Sequence, residues 1–190
     1  MNKTAIKNFA VWARRQLISE ISYKASLLGV TENGAADPLP QSTLDLQFFD
    51  IGTKNYMEVR GAAIAQRSAL VAAMTKKAGE TDWKTAFQNV IEEVAYTWFN
   101  RLIAIRFMEI NDYLPSRLRV LSSESAGKLE PDFVSNPWEA DLDLTAEEKR
   151  EVERLKDENK LDELFRMLFI RQCNKLHEIL PELFEETHDY

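Results

Sequence analysis

The sequence predicts an all-α fold in which helices pack around one central hydrophobic helix, with at most a minor short strand or hairpin. Three observations carry this. Apolar residues recur at three- and four-residue steps through long windows, glycine or proline closes each window, and the strand-helix alternation that a doubly wound sheet needs is missing.

The first predicted helix runs from about Lys3 to Leu28. Ile6, Phe9, Ala13, Leu17, Ile21, Ala25 and Leu28 form its apolar stripe, Lys7, Arg14 and Arg15 lie on the polar side, and Gly29 is the stop. Asn33-Gly34 and Asp37-Pro38-Leu39-Pro40 mark the loop that follows. Leu44 to Ile51 is short and apolar, and its pattern fits a helical turn or a strand equally. A second helix is expected over about Tyr56 to Ala78, rich in alanine, with Val59, Ala63, Leu70 and Met74 near one face before Gly79.

Asp82 then has the position of an N-cap for a third helix, about Trp83 to Ile110. Phe87, Val90, Ile91, Val94, Trp98, Leu102, Ile105 and Phe107 cover more than one of its faces, so it should be surrounded by the others. The greasy run that contains it stops at Pro115. Residues 122–144 hold Ser122-Ser123, Gly127, Pro131 and Asn136-Pro137 and read as an irregular connection. Thr145-Ala146-Glu147-Glu148 has the form of a capping box opening a charged helix to about Glu158. A last helix, about Leu161 to Leu180, presents Leu164, Phe165, Leu168, Cys173 and Leu176 before Pro181. The expected organisation is a helical core over 1–121, the connection 122–144, and an acidic helical segment 145–190.

A chain of 190 residues, 45% hydrophobic and 29% charged, is long enough to bury a proper core. No run approaches the roughly 18 apolar residues of a spanning helix, and the N-terminus lacks a secretion signal, so no membrane partner and a cytoplasmic location are expected. The single cysteine, Cys173, forbids an internal disulfide and agrees with a reducing compartment. The net charge of −7 argues against a simple nucleic-acid-coating domain, but it is unevenly placed. Residues 1–129 carry 16 Lys and Arg against 13 Asp and Glu, whereas 130–190 carry 8 against 18. Local basic stretches at 1–29 and 54–78 make Arg14, Arg15, Arg67, Lys76 and Lys77 the candidate contacts to DNA or to an acidic partner. A solvated helix face is the plainer reading, since no nucleic-acid motif accompanies them.

Three segments, EVAYTWFNRLIAIRFMEINDYLPSRLRVLSS (93–123), FAVWARRQLISEISYKA (9–25) and LFRMLFIRQCNKLHEILPELFE (164–185), together resemble one family. It is the N-terminal region of the adenine-specific DNA methyltransferases of BREX-type bacterial phage defence, related to methylase subunits of type II restriction systems. The resemblance implies a larger parent enzyme whose catalytic part binds S-adenosylmethionine and methylates adenine in a specific DNA sequence. It also implies, as partners, that catalytic domain, double-stranded DNA and other defence-system subunits. The matching residues are mostly structural, so the resemblance names a parent better than it locates a site.

Methyltransferase chemistry itself finds no residues here. It needs a glycine-rich turn for the cofactor and an (Asp/Asn/Ser)-Pro-Pro-aromatic loop for the extruded base. The six glycines, at 29, 34, 52, 61, 79 and 127, are too scattered for the first, and Ser135-Asn136-Pro137-Trp138 lacks one proline of the second. That segment is better read as a turn with Trp138 docked on the core. Pro131-Asp132 with Glu158-Asn159-Lys160 imitates a nuclease metal signature, but Glu158 lies in a charged helix and reads as a solvated face. Cys173 and His177, four apart, suggest a thiolate-imidazole pair or half a metal site; with only His188 besides, a packed thiol and a hydrogen-bonded histidine are favoured. Polar residues of the central helix should be paired, Arg106 with Glu109 and Glu93 with an arginine of another helix.

No catalytic, cofactor-binding or metal residue is therefore expected among these residues. The expected role is a helical domain that supports the catalytic domain of an adenine-N6 methyltransferase and offers a basic surface to DNA. The competing role is an all-α interaction module that docks other defence subunits without touching DNA.

Overall fold

The computed structural model describes residues 2–184. Helices dominate the described residues, and the strands are two short antiparallel pairs, as the all-α reading requires. The chain divides into two compact units, one reaching to Phe99 and the other starting at Asn100.

In the first unit, α1 spans Lys3–Leu27, capped by Asn2, whose side chain accepts from the Ala5 N–H at 3.1 Å. Gly29, at φ +68°, turns the chain away from it; a Cβ there would meet that of Ala36 at 3.1 Å. β1 (Val30–Thr31) pairs with β2 (Gly34–Ala35), and β3 (Leu46–Phe49) with β4 (Met57–Arg60), Leu46 opposite Arg60 and Phe49 opposite Met57. α2 then covers Ala62–Ala78, and α3 runs over Trp83–Ile110. The buried core of this unit is Ala25, Val30, Met74, Phe87, Val90 and Ile91, with Ile18, Ile21, Leu28, Leu70 and Trp83 packed against it. The Trp83 indole N–H also donates to the Thr31 carbonyl at 2.8 Å.

Two expectations change here. The helix read from Tyr56 starts six residues later, because Met57 and Val59 face inward while Glu58 and Arg60 face solvent, a period of two that makes a strand. Gly61, at φ +55°, then separates strand from helix. The same strand settles Leu44 to Ile51, whose centre is its partner β3. Second, α3 is not enclosed on every side. Phe87, Val90, Ile91 and Ile105 are buried, but Phe107 is 59% exposed, and Tyr96, Ile103 and Ile110 are exposed too.

The second unit contains the end of α3, α4 (Asp132–Ser135), a 3₁₀ turn (Pro137–Ala140), α5 (Ala146–Asp157) and α6 (Leu161–His177). α3 closes in a Schellman motif: the Tyr113 N–H reaches the Met108 carbonyl at 2.8 Å, and Asp112 takes the left-handed conformation at φ +57°. The Tyr113 ring meets Phe107 edge-on, with centroids 6.0 Å apart. α5 ends the same way on Asn159, at φ +53°, where the Lys160 N–H bonds to the Leu155 carbonyl at 2.8 Å. At its start the capping box is complete, Thr145 and Glu148 each accepting the other's backbone N–H.

α6 stops at His177 rather than Leu180, since Pro181 disfavours a helical residue before it. It buries Leu164, Leu168, Phe169, Gln172, Cys173 and Leu176, and α4 and α5 both pack on it. Within 122–144 the buried residues are Phe133, Val134, Pro137, Ala140 and Leu144. Trp138 is half exposed, so Pro137 and not the tryptophan fills the interior.

Candidate functional site

The five candidate basic residues all lie on α1 and α2 of the first unit, but they do not form one surface. Arg67 leaves the set altogether: it is 6% exposed, its Nε donates to the Leu28 carbonyl at 2.7 Å, and its Nη2 donates to the Ala36 carbonyl at 2.6 Å. Its guanidinium carbon sits 3.6 Å over the centroid of the Phe49 ring. Burial pulls its pKa down from the usual value, with Asp37 opposing. Arg67 is a rivet between α2, the end of α1 and the two hairpins, and the geometry leaves it no phosphate to meet.

Arg14 pairs with Glu92 of α3 at 3.0 Å, and Lys77 pairs with the neighbouring Glu93. The charged partner expected for Glu93 is thus a lysine of α2. Such exposed pairs are worth about 0.2–1 kcal/mol. Arg15 and Lys76 are exposed and make no ion pair among the described residues. On α2, Lys76 lies about 180° round the helix from Arg67 at 100° per residue, which is why one is in solvent and the other in the core.

The polar groups of α3 resolve as pairing. Glu109 has a fully buried side chain that accepts from the Leu121 N–H at 2.7 Å, from the Ser122 hydroxyl at 2.6 Å and from the Arg106 guanidinium. Burial works to raise its carboxyl, yet these donors outweigh it and hold the group below the ordinary carboxylate range. Arg119 Nη1 donates to the Glu109 carbonyl at 3.1 Å. The carboxylate therefore staples the turn after α3 back onto the helix. Sequence reasoning found the Arg106–Glu109 pair but not its role in ordering residues 119–122.

The remaining motifs have local partners. Asp132 accepts from the Ser123 hydroxyl at 2.6 Å and the Glu124 N–H at 2.8 Å, and Glu158 pairs with Arg154 and Lys160. Cys173 is buried, and burial pushes its thiol up to about 12, far from a thiolate at neutral pH. His177 Nδ1 lies 2.5 Å from the Phe184 carbonyl; His188 falls outside the described residues. No group of three or more His, Cys, Asp or Glu among the described residues is placed to hold a metal, and no helix among them is long and apolar enough to cross a membrane. Among the described residues the strands form two antiparallel hairpins, with no parallel pair.

No family model matches the sequence. Among curated proteins, the chain is 43% identical to the adenine-specific methyltransferase PglX of Lacticaseibacillus casei (strain Zhang), over an alignment that takes in the whole chain and 16% of the relative. It is 32% identical to the adenine-specific methyltransferase BrxX of Escherichia coli O9:H4 (strain HS), again over the whole chain and 15% of that protein. The sequence is homologous to the N-terminal region of adenine-specific methyltransferases. The chain spans about one sixth of the length of these curated relatives.

Proposed function

We propose that this chain is the N-terminal helical part of an adenine-N6 DNA methyltransferase of a phage-defence or restriction system, and that it buttresses a catalytic domain lying further along the polypeptide. The observation that carries this reading is the match to two adenine-specific methyltransferases across the entire chain but only 15–16% of their length. S-adenosylmethionine and the target adenine belong to that catalytic domain, in a cytoplasmic enzyme, and the helical part alone transfers no methyl group. Arg15 and Lys76, with Arg14 and Lys77 after exchange of their carboxylate partners, are the cations proposed to face DNA phosphates or another subunit.

The test is a chimera of the L. casei relative in which the matched 16% is replaced by this chain. It is expected to methylate adenine in the parent's target sequence, while the parent lacking that 16% does so poorly. An inactive chimera, or a truncated parent as active as the whole, overturns the supporting role. Salt-dependent binding of the 190-residue chain to duplex DNA tests the contact separately. The contact fails if low-salt binding is absent or survives Arg14, Arg15, Lys76 and Lys77 all changed to Glu.

A further inference from the structure

The first helix carries an apolar stripe that the described residues cover far more at one end than at the other. At 100° per residue, Ile6, Phe9, Ala10, Ala13, Leu17 and Ile21 fall within about 60° of one line along α1. From Ile18 onward the helix packs on the core of its unit, and Ala25 is buried. Before that the described residues leave it half open: Ala10 and Ala13 are partly buried, but Ile6 and Phe9 are 47% and 48% exposed, and Trp12, 6.0 Å from Phe9 between ring centroids, is 60% exposed.

A helix segment of this length without tertiary packing is marginal in water, since helices below about 12–15 residues owe most of their stability to a buried face. The charges at the same end add to the cost. Lys3 and Lys7 stand where the helix dipole is already positive, the first turn holds no acid, and the first acidic residue of the chain is Glu20. An apolar groove with an acidic rim relieves both costs together.

We propose that the Ile6–Ala13 end of this stripe is the docking surface for an acidic-rimmed apolar groove on the polypeptide that, in the relatives, follows the region matched here. The inference rests on the buttressing role above and names the surface that performs it. Its occupant follows from two observations. The match to the relatives includes this uncovered end, and five sixths of their length lies outside it. A second copy is the poorer fit, because pairing two such stripes would set Lys3 and Lys7 against their own kind.

Amide hydrogen exchange over residues 4–15 tests this in the chimera and in the 190-residue chain alone. Exchange there is expected to be at least tenfold slower in the chimera, and Phe9→Asp with Ile6→Asp is expected to return it to the rate of the isolated chain. A chimera that methylates adenine but shows no added protection overturns the docking surface and leaves the buttressing role standing; an inactive chimera overturns both. Sedimentation of the 190-residue chain is expected to give a monomer. A dimer that Phe9→Asp dissociates assigns the stripe to a second copy, and protection of residues 4–11 gained by adding duplex DNA to the chain alone and lost with Phe9→Asp and Ile6→Asp assigns it to nucleic acid; either result overturns the proposal.

Discussion

The first and last helices of the described chain are built on the same apolar period and end in opposite situations. α6 buries six residues in seventeen, whereas α1 buries only Ala25 in twenty-five. Helical periodicity fixes which side chains share a face; it does not say whether this chain supplies the cover. α6 has α4 and α5 laid on it, whereas among the described residues α1 packs on its unit's core through Ile18, Ile21 and Ala25 in its second half and Leu28 at its C-cap. The first turns of α1 therefore contribute little to the packing of their own unit.

The contrast is broken most forcefully from the covered side. Phe169 is completely buried on α6 and stacks on Phe165 with centroids 5.4 Å apart. Phe169→Ala should cost about 3–5 kcal/mol, as buried aromatic truncations do, seen as a lower urea midpoint of the 190-residue chain. A cost below about 1 kcal/mol would mean that α6 is no better supported than α1.

Where α1 is covered, Arg67 holds its end through the Leu28 carbonyl. Arg67→Lys keeps the charge but loses the planar fork and its place over Phe49, and should destabilise by about 2 kcal/mol. DNA affinity should not change with it. A variant of native stability with weakened DNA binding would return Arg67 to the contact set from which its burial removes it.

These two residues mark what the sequence made legible. Helix ends were readable because their determinants are local: Asp82 accepts from the Thr85 N–H at 3.0 Å, Thr145 and Glu148 complete their box, and Gly29 turns the chain where expected. Met57–Arg60 was hidden because four alternating residues adjoin an alanine-rich helix and were absorbed into its window. Arg67 could not be placed, since its acceptors lie 39 and 31 residues away and a buried cation looks in sequence like any basic residue of an exposed face. The apolar stripe of α1 was correctly drawn, but its exposure depends on chain outside the helix.

A smaller effect is expected at the start of α5, which lies on α6. Thr145→Ala removes one member of the capping box and should cost about 1 kcal/mol. Glu148, the other member, also pairs with Arg171 of α6. Burial opposes the lowering of its pKa, but the Thr145 and Arg171 hydrogen bonds win and hold the carboxyl below its usual value. A carboxyl depressed in the folded state stabilises fully above its unfolded pKa of about 4.3 and loses that contribution as pH falls through the folded value. Stability of the native chain should therefore drop below about pH 4 more steeply than that of Glu148→Gln. Parallel acid profiles would show that the box does not tie α5 to α6.

The smallest effect is expected where a periodicity argument alone would forecast a large one. Phe9 occupies a stripe position on α1 just as Phe169 occupies one on α6, yet its ring is half in water and touches Trp12 rather than a core. Phe9→Ala should shift the stability of the 190-residue chain by less than about 0.5 kcal/mol, the range of surface substitutions, and alanine's higher helix propensity offsets part of even that. Ile21→Ala, further along the same stripe where it packs on the core cluster, should cost measurably more. Equal losses at the two positions would mean that the N-terminal turns are covered by this chain in solution, and α1 and α6 would then differ in degree only. A silent Phe9→Ala beside a costly Ile21→Ala leaves an aromatic residue on a basic helix end with no role in the stability of its own domain, which is how a residue kept for an intermolecular or interdomain contact behaves.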